Sequence, residues 1–145
     1  MPPKEFQLKE LRKFSKKLKD ELSQLLTQLS QTRERIDEKV LKKALKSPNT
    51  VLFGLFHNDK LIGTGTLIIM DTFASPRGFV HDLVIDKEYR SRGLAHKIMD
   101  EIIKRAKKHK LTELSLTSRA HRKTEKFFKE CGFEKRQTNC FRMDL

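Results

Sequence analysis

The sequence predicts an α/β domain, and three observations carry that prediction. Short segments at 51–56, 61–69 and 80–85 are rich in β-branched and other apolar residues and are bounded by turn residues, the pattern of buried strands. Around them, apolar residues recur at spacings of three and four, the pattern of helices that bury one face. The segment Val80 to Ile85 then runs through a short turn into Arg90-Ser91-Arg92-Gly93-Leu94-Ala95, which opens an amphipathic helix.

In chain order, Leu8, Leu11, Leu18, Leu22, Leu25 and Leu29, with Phe14 near the same face, predict one long helix of roughly 30 Å at about 1.5 Å per residue. Only Glu5 to Leu8 is a candidate strand before it. A second helix, about Ile36 to Lys46, follows the polar stretch Ser30 to Arg35 and stops at Ser47-Pro48, since proline cannot continue it. Val51 to Phe56 and Leu61 to Ile69 are strands joined by the turn His57-Asn58-Asp59-Lys60, which places His57 in solvent. Asp71 to Gly78 is a loop, and Leu94, Ala95, Ile98, Met99, Ile102, Ile103 and Ala106 give the next helix a broad apolar face. Leu114 to Thr117 is a strand, Arg122 to Glu130 a last helix stopped by Gly132, and Asn139 to Asp144 a closing strand.

At 145 residues the chain suits one domain over 1–145, with a helical region at 1–49 and the sheet and helices at 50–145. It has no run of 18 apolar residues, and Met1 to Lys19 is polar and lysine-rich without a hydrophobic leader segment. The expectation is a soluble, cytoplasmic protein with no membrane partner. Cys131 and Cys140 have neither metal-ligand spacing nor disulfide density, so they are expected as reduced thiols, with no metal. The formal net charge of +13 steers anionic ligands toward the chain. It is spread along the sequence, and the densest run, Lys104 to Lys110, falls at a helix C-terminus, where cations favour the dipole. A basic nucleic-acid-binding module is the rival reading; it lacks an aromatic-interleaved basic stretch.

A strand feeding a glycine-bearing loop onto a helix N-terminus is an anion cradle. The first-turn N–H groups have no intrahelical partner and the dipole adds about half a positive charge there, so a phosphate or pyrophosphate satisfies both. Gly93 permits close approach, Ala95 keeps the helix start uncrowded, and Arg90, Arg92 and Lys97 add cations. Neither G-x-x-x-x-G-K-S/T nor G-x-G-x-x-G is present.

Arg90, Gly93 and Ala95 fit the pattern Q/R-x-x-G-x-G/A after a hydrophobic strand. His81-Asp82-Leu83-Val84-Ile85-Asp86 resembles E-D-hydrophobic-V-V-D, and Phe127-Phe128-Lys129-Glu130-Cys131-Gly132-Phe133 resembles F/L-Y-x-x-x-G-F. In this order the three motifs resemble those of the GCN5-related N-acetyltransferases (GNAT), well over residues 50–145 and loosely before. The resemblance implies an acyl-CoA N-acyltransferase fold: a mixed, mostly antiparallel sheet flanked by helices, with the first strand absent or replaced by the long N-terminal helix. It implies acetyl-CoA as co-substrate, its pyrophosphate on the turn Arg92 to Lys97 and its pantetheine arm along Leu83, Val84 and Ile85. The implied cofactor set is Leu83, Val84, Ile85, Arg90, Ser91, Arg92, Gly93, Leu94, Ala95, His96 and Lys97.

The same resemblance implies direct attack by a primary amine where two parallel strands splay apart. His81 stands where many relatives carry glutamate and is the candidate base, since an imidazole titrates near neutrality. Asp82 points to the opposite face if the strand is regular. Phe128 replaces the tyrosine that many relatives use as acid. Water, Cys131 or His121 would then protonate the leaving thiolate, or the chain is a weak or inactive CoA-binding homologue. Ser118, Arg119, His121 and Arg122 are further candidates to touch CoA or acceptor, and Arg33, Arg35 and Lys39 to meet an acidic acceptor. The basic balance favours an acceptor that is anionic or sits on an anionic assembly; self-association as a homodimer stays open.

Overall fold

The computed structural model describes residues 5–29, 35–119 and 123–145. Arg33, His121 and Arg122 lie outside them. The elements in order are β1 (Gln7–Leu11), α1 (Lys16–Leu29), α2 (Glu38–Lys46), β2 (Thr50–His57), β3 (Lys60–Asp71), β4 (Pro76–Ile85), a 3-10 turn (Lys87–Tyr89), α3 (Leu94–Lys108), β5 (Leu114–Ser115) and α4 (Glu125–Glu130). The sheet runs β1-β2-β3-β4-β5 in sequence order. Its first four strands are antiparallel to their neighbours, and β5 joins β4 in parallel.

The N-terminus corrects the sequence expectation. The first strand is present, five residues long, and pairs with β2 from Gln7↔Phe56 to Leu11↔Leu52. No long helix replaces it: Leu8 and Leu11 belong to the strand. Ser15 Oγ accepts from Leu18 N at 3.0 Å at the start of α1. That helix has 14 residues. The three-and-four leucine spacing continues by coincidence across a break that a serine cap marks.

Each face of the sheet buries a different layer. On one, Ile98, Met99 and Ile102 of α3 are fully buried against Phe53, Leu55, Ile62 and Leu67. This packing needs close approach at Gly65, where a Cβ would stand 2.6 Å from Ile98 Cγ2. On the other face, Leu18 and Leu25 of α1 and Leu41 and Leu45 of α2 pack with Leu61 and Val84. Glu21 of α1 also accepts from Leu61 N at 2.9 Å, tying the helix to the β2–β3 hairpin.

Other boundaries shift. β4 begins at Pro76 and β3 continues to Asp71, so the predicted loop shrinks to 72–75, closed by Thr72 Oγ1 donating to Ser75 O at 2.7 Å. His57 is not a solvated turn residue: it ends β2, half-buried, with Nδ1 3.0 Å from the Tyr89 hydroxyl. The strand predicted for Leu114 to Thr117 holds only Leu114–Ser115. The closing strand at Asn139 to Asp144 does not form; this segment is exposed and has no ladder partner among the described residues.

Candidate active site

The strand, turn and helix predicted to cradle an anion form one continuous structure. After β4, Asp86 accepts from Glu88 N at 3.0 Å and caps the 3-10 turn. Arg90 Nε donates to Ile85 O at 2.9 Å, folding the loop back onto the strand end. Ser91 and Gly93 both take left-handed backbone, with φ of 64° and 74°. This conformation suits glycine and strains serine, and it turns the chain sharply into α3.

Gly93 is the N-cap of α3, has no side chain to occupy the first-turn amides, and its carbonyl accepts from Lys97 N at 3.3 Å. No acidic residue stands in the first turn. A Cβ at Gly93 would meet no atom within 4 Å, so the space above the helix start is open. The amides of Leu94, Ala95 and His96 therefore face a region suited to an anion. The residues present fit a pyrophosphate.

A cleft of about 290 Å³ opens at this point. Of the predicted cofactor set, Ile85, Arg90, Ser91, Gly93, Leu94, Ala95 and His96 line it. Leu83, Val84, Arg92 and Lys97 do not. Val84 is buried on the α1/α2 face, and Arg92 lies over the Tyr89 ring, 5.4 Å from its centroid. Tyr89 and Phe127 also line the cleft and were missed. Tyr89, the only tyrosine of the sequence, was an available signal. A wider, shallow groove of about 670 Å³ lies against α4 and is lined only by charged side chains, Glu125, Lys126, Lys129 and Glu130.

α4 closes one side of the cleft through His96. Its ring packs edge-on against Phe127 with centroids 4.7 Å apart, while Nε2 lies 3.2 Å from Glu130 Oε2 and Nδ1 3.6 Å from Cys131 Sγ. With Nε2–H donating to the carboxylate, Nδ1 is left to accept from the thiol. Burial first, then the carboxylates of Asp100 and Glu130, push the Cys131 thiol above its ordinary range, so it stays protonated at neutral pH. Phe128 packs between Phe127 and Phe133, at 5.2 and 6.1 Å between centroids.

Upstream in β4 the strand is not regular. Thr64 pairs with Val84 and Thr66 with His81, so Asp82 and Leu83 together oppose Gly65: a bulge. Asp82 carries φ 53°, and its carbonyl accepts from Thr64 Oγ1 at 2.8 Å. The bulge breaks the alternation that would have sent Asp82 to the opposite face from His81, and both residues are exposed. The His81 ring stacks on Phe79, with centroids 4.5 Å apart. β5 pairs with β4 only at Gly78↔Leu114 and Phe79↔Ser115. His81 thus lies just beyond the point where the two parallel strands part. It is four residues before Ile85, on the other side of the bulge. His81 does not line the cleft at the helix start.

Solved structures share this architecture. A glucosamine-6-phosphate N-acetyltransferase from Arabidopsis thaliana is 21% identical with TM-score 0.78, over 95% of this chain and 97% of its own. An aminoglycoside acetyltransferase from an uncultured soil metagenomic sample, solved with trehalose, is 16% identical with TM-score 0.84, over 99% and 98%. A ribosomal-protein-alanine N-acetyltransferase from Brucella melitensis biovar Abortus 2308 is 15% identical with TM-score 0.74, over 97% and 99%. No curated protein sequence matches the chain. Residues 15–133, most of the chain, match the Acetyltransferase (GNAT) family. The chain therefore belongs to the GNAT acetyltransferases, a family whose general chemistry is acyl transfer from acetyl-CoA to an amine.

Proposed function

We propose that this protein is an N-acetyltransferase that moves acetyl from acetyl-CoA to a primary amine by direct attack. The observation that carries the reading is the start of α3, where a left-handed Gly93, uncapped amides and open space meet at the end of β4. The first-turn amides of α3 hold the pyrophosphate, with Arg90 and Ser91 beside it. Arg92 and Lys97, outside the cleft lining, add to the local positive field. The backbone from Leu83 to Ile85 guides the extended arm toward the gap between β4 and β5. Acetyl-CoA supplies an activated thioester there.

His81, exposed at that gap, takes the proton of the acceptor amine, directly or through water. Stacking on Phe79 orients its ring. Phe128 has no proton to give. The Cys131 thiol stays protonated but is engaged with His96. A thiolate of ordinary pKa, about 8.5, leaves tolerably at neutral pH from water alone. The acceptor is an amine that is anionic or part of an anionic assembly, since the +13 field raises encounter with such partners. Arg35, just before α2, and Lys39, in its first turn, are candidates to meet it.

The test is a thermal-shift titration with acetyl-CoA, run beside ATP and a short DNA duplex. A ligand at 100 times its Kd adds about 2.7 kcal/mol, roughly 5 to 10 °C for this size. A saturable rise much larger with acetyl-CoA than with either control is the expected result and leads to an amine screen. A rise with DNA alone overturns the reading in favour of a basic nucleic-acid module. A second reading, a CoA-binding homologue without turnover, is favoured specifically by Phe128. Binding without acetylation of any amine in the screen is its outcome.

A further inference from the structure

One face of β3 and β4 carries a row of side chains that the core does not use. Register runs unbroken from Thr66↔His81 through Ile68↔Phe79 to Met70↔Arg77. Directly paired residues share a face, and so do alternate residues of one strand. Leu67, Ile69 and Val80 belong to the core beneath α3. Thr66, Ile68, Met70, Arg77, Phe79 and His81 therefore stand on the opposite face.

Ile68, Met70 and Phe79 are half-buried, yet among the described residues they pack against neither hydrophobic core. Further along the same face, α1 and α2 cover Leu61 and Val84 and leave this strip open. Its two ends differ in chemistry. At one, the His81 ring stacks on Phe79 with centroids 4.5 Å apart. At the other, the Arg77 side chain is 45% exposed, with Nη1 3.4 Å from Glu113 Oε1 and Nε donating to Ser75 Oγ at 3.4 Å. These contacts use only part of the guanidinium's donor fork, and an exposed ion pair contributes about 0–1 kcal/mol, so Arg77 can take another anion. Four residues of regular strand, about 13 Å, separate Arg77 from His81.

We propose that the acceptor is a primary amine joined through an apolar stretch to an anionic group. The inference rests on the acetyl-transfer reading and narrows it. The amine sits at His81, the apolar stretch lies on Phe79, Ile68 and Met70, and the anion reaches Arg77. The step is balanced as before: the amine nitrogen bonds to the acetyl carbon, the C–S bond breaks, one amine proton passes to His81, and the thiolate takes one from water. An amino sugar fits this floor poorly, because its hydroxyls would lose water against apolar side chains that cannot bond them. A polyamine would bring cations to Arg77 on a chain of net charge +13. Two sources present the matching chemistry, a small ω-amino carboxylate and a polypeptide N-terminus whose apolar residues precede an acidic one.

Steady-state acetylation of ω-aminooctanoate, the peptide alanyl-leucyl-leucyl-glutamate, octylamine and phosphoethanolamine by the full chain tests this. Octylamine lacks the anion and phosphoethanolamine lacks the apolar stretch. The expected kcat/KM for ω-aminooctanoate or the peptide exceeds both controls by about tenfold, and whichever of the two leads identifies the source. Arg77→Gln should cut the preference over octylamine by about fivefold. Ile68→Thr, which keeps a β-branched residue in the strand, should raise KM for the preferred amine by about tenfold with kcat retained. Met70→Gln, at the same row, takes its place should Ile68→Thr fail to fold. Octylamine or phosphoethanolamine acetylated as well as either amphiphile overturns the proposal, as does selectivity that neither Arg77→Gln nor the apolar variants change. Calorimetry of both amphiphiles with CoA present separates this from failure of the parent reading. Binding that Arg77→Gln weakens, without acetylation of any amine, supports the row and rejects acetyl transfer; absence of binding by either amphiphile rejects the row, whatever amine is acetylated.

Discussion

The two halves of β4 are built on different principles. At its C-terminal end, the Arg90 loop, the left-handed Gly93 and the α3 amides converge on one open space, and most of the recognition is backbone. In its middle, the proposed chemistry depends on one exposed imidazole stacked on Phe79 and a bulge pinned by Thr64. Backbone recognition is distributed, so loss of any one side chain there weakens it gradually. Side-chain chemistry is concentrated, so a single change removes it. The contrast predicts that substitutions in the middle of β4 act on turnover and substitutions at its end act on affinity.

The largest effect is expected for His81→Ala. General-base catalysis contributes about 10²- to 10⁴-fold, so kcat should fall by that order while acetyl-CoA affinity stays within about twofold. Because the acceptor amine must itself be deprotonated to attack, the rate should rise with pH in both proteins, and removal of a general base should change the shape of that rise. Matching pH profiles in the two proteins would retire His81 as base. Next is Gly93→Glu, which places an anion over the helix start and a side chain on a backbone at φ 74°. Acetyl-CoA should bind about 100-fold more weakly, about 2.7 kcal/mol, by calorimetry. Unchanged affinity in a folded variant would falsify the cradle.

Two smaller changes sharpen the boundary between the halves. Thr64 is buried at 6% exposure, and Thr64→Val takes away the donor to Asp82 O. Loss of such a buried bond costs about 1–3 kcal/mol of stability, and relaxation of the bulge should lower kcat more than it weakens acetyl-CoA binding. Equal losses in both would show that the bulge supports the cofactor end as well. Phe128→Tyr restores a phenol in the Phe127–Phe133 stack. If proton delivery limits the rate, kcat should rise several-fold; an unchanged rate assigns that proton to water.

What the sequence showed follows the same division. The cradle was legible because its parts are contiguous: Arg90 to Lys97 directly follow a strand, and local backbone rules cover the whole of it. The fold class was legible from the two periodicities. The first strand was not, because Leu8 and Leu11 fit the helical spacing of Leu18 to Leu29, and only the tertiary pairing of Gln7–Leu11 with β2 separates them. The bulge was hidden because nothing in His81-Asp82-Leu83 marks a left-handed aspartate; its partner, Thr64, lies 18 residues away. His57 looked like a turn residue for the same reason, since the Tyr89 hydroxyl that binds it is 32 residues distant.

The smallest expected effect lies at the other end of α3, and it separates anchoring from recognition. Arg105, near the helix C-terminus, pairs with Glu10 of β1 at 3.3 Å and lies over the Phe53 ring, 5.4 Å from its centroid. Burial raises the Glu10 carboxyl, but hydrogen bonds and charge from Arg12 and Arg105 outweigh it and hold the group below its ordinary range. A carboxylate with a depressed folded pKa adds stability above its unfolded pKa, about 4.3, and loses it as pH falls through the folded value. Glu10→Gln should therefore lower Tm slightly at pH 7, by about 2 °C for roughly 0.5 kcal/mol. The difference should disappear in acid. Acetyl-CoA affinity should not change, because the pair pins the end of α3 remote from its open amides. A parallel loss of affinity would mean that the cradle depends on the whole helix being held, and the division between anchored and recognising ends would fail.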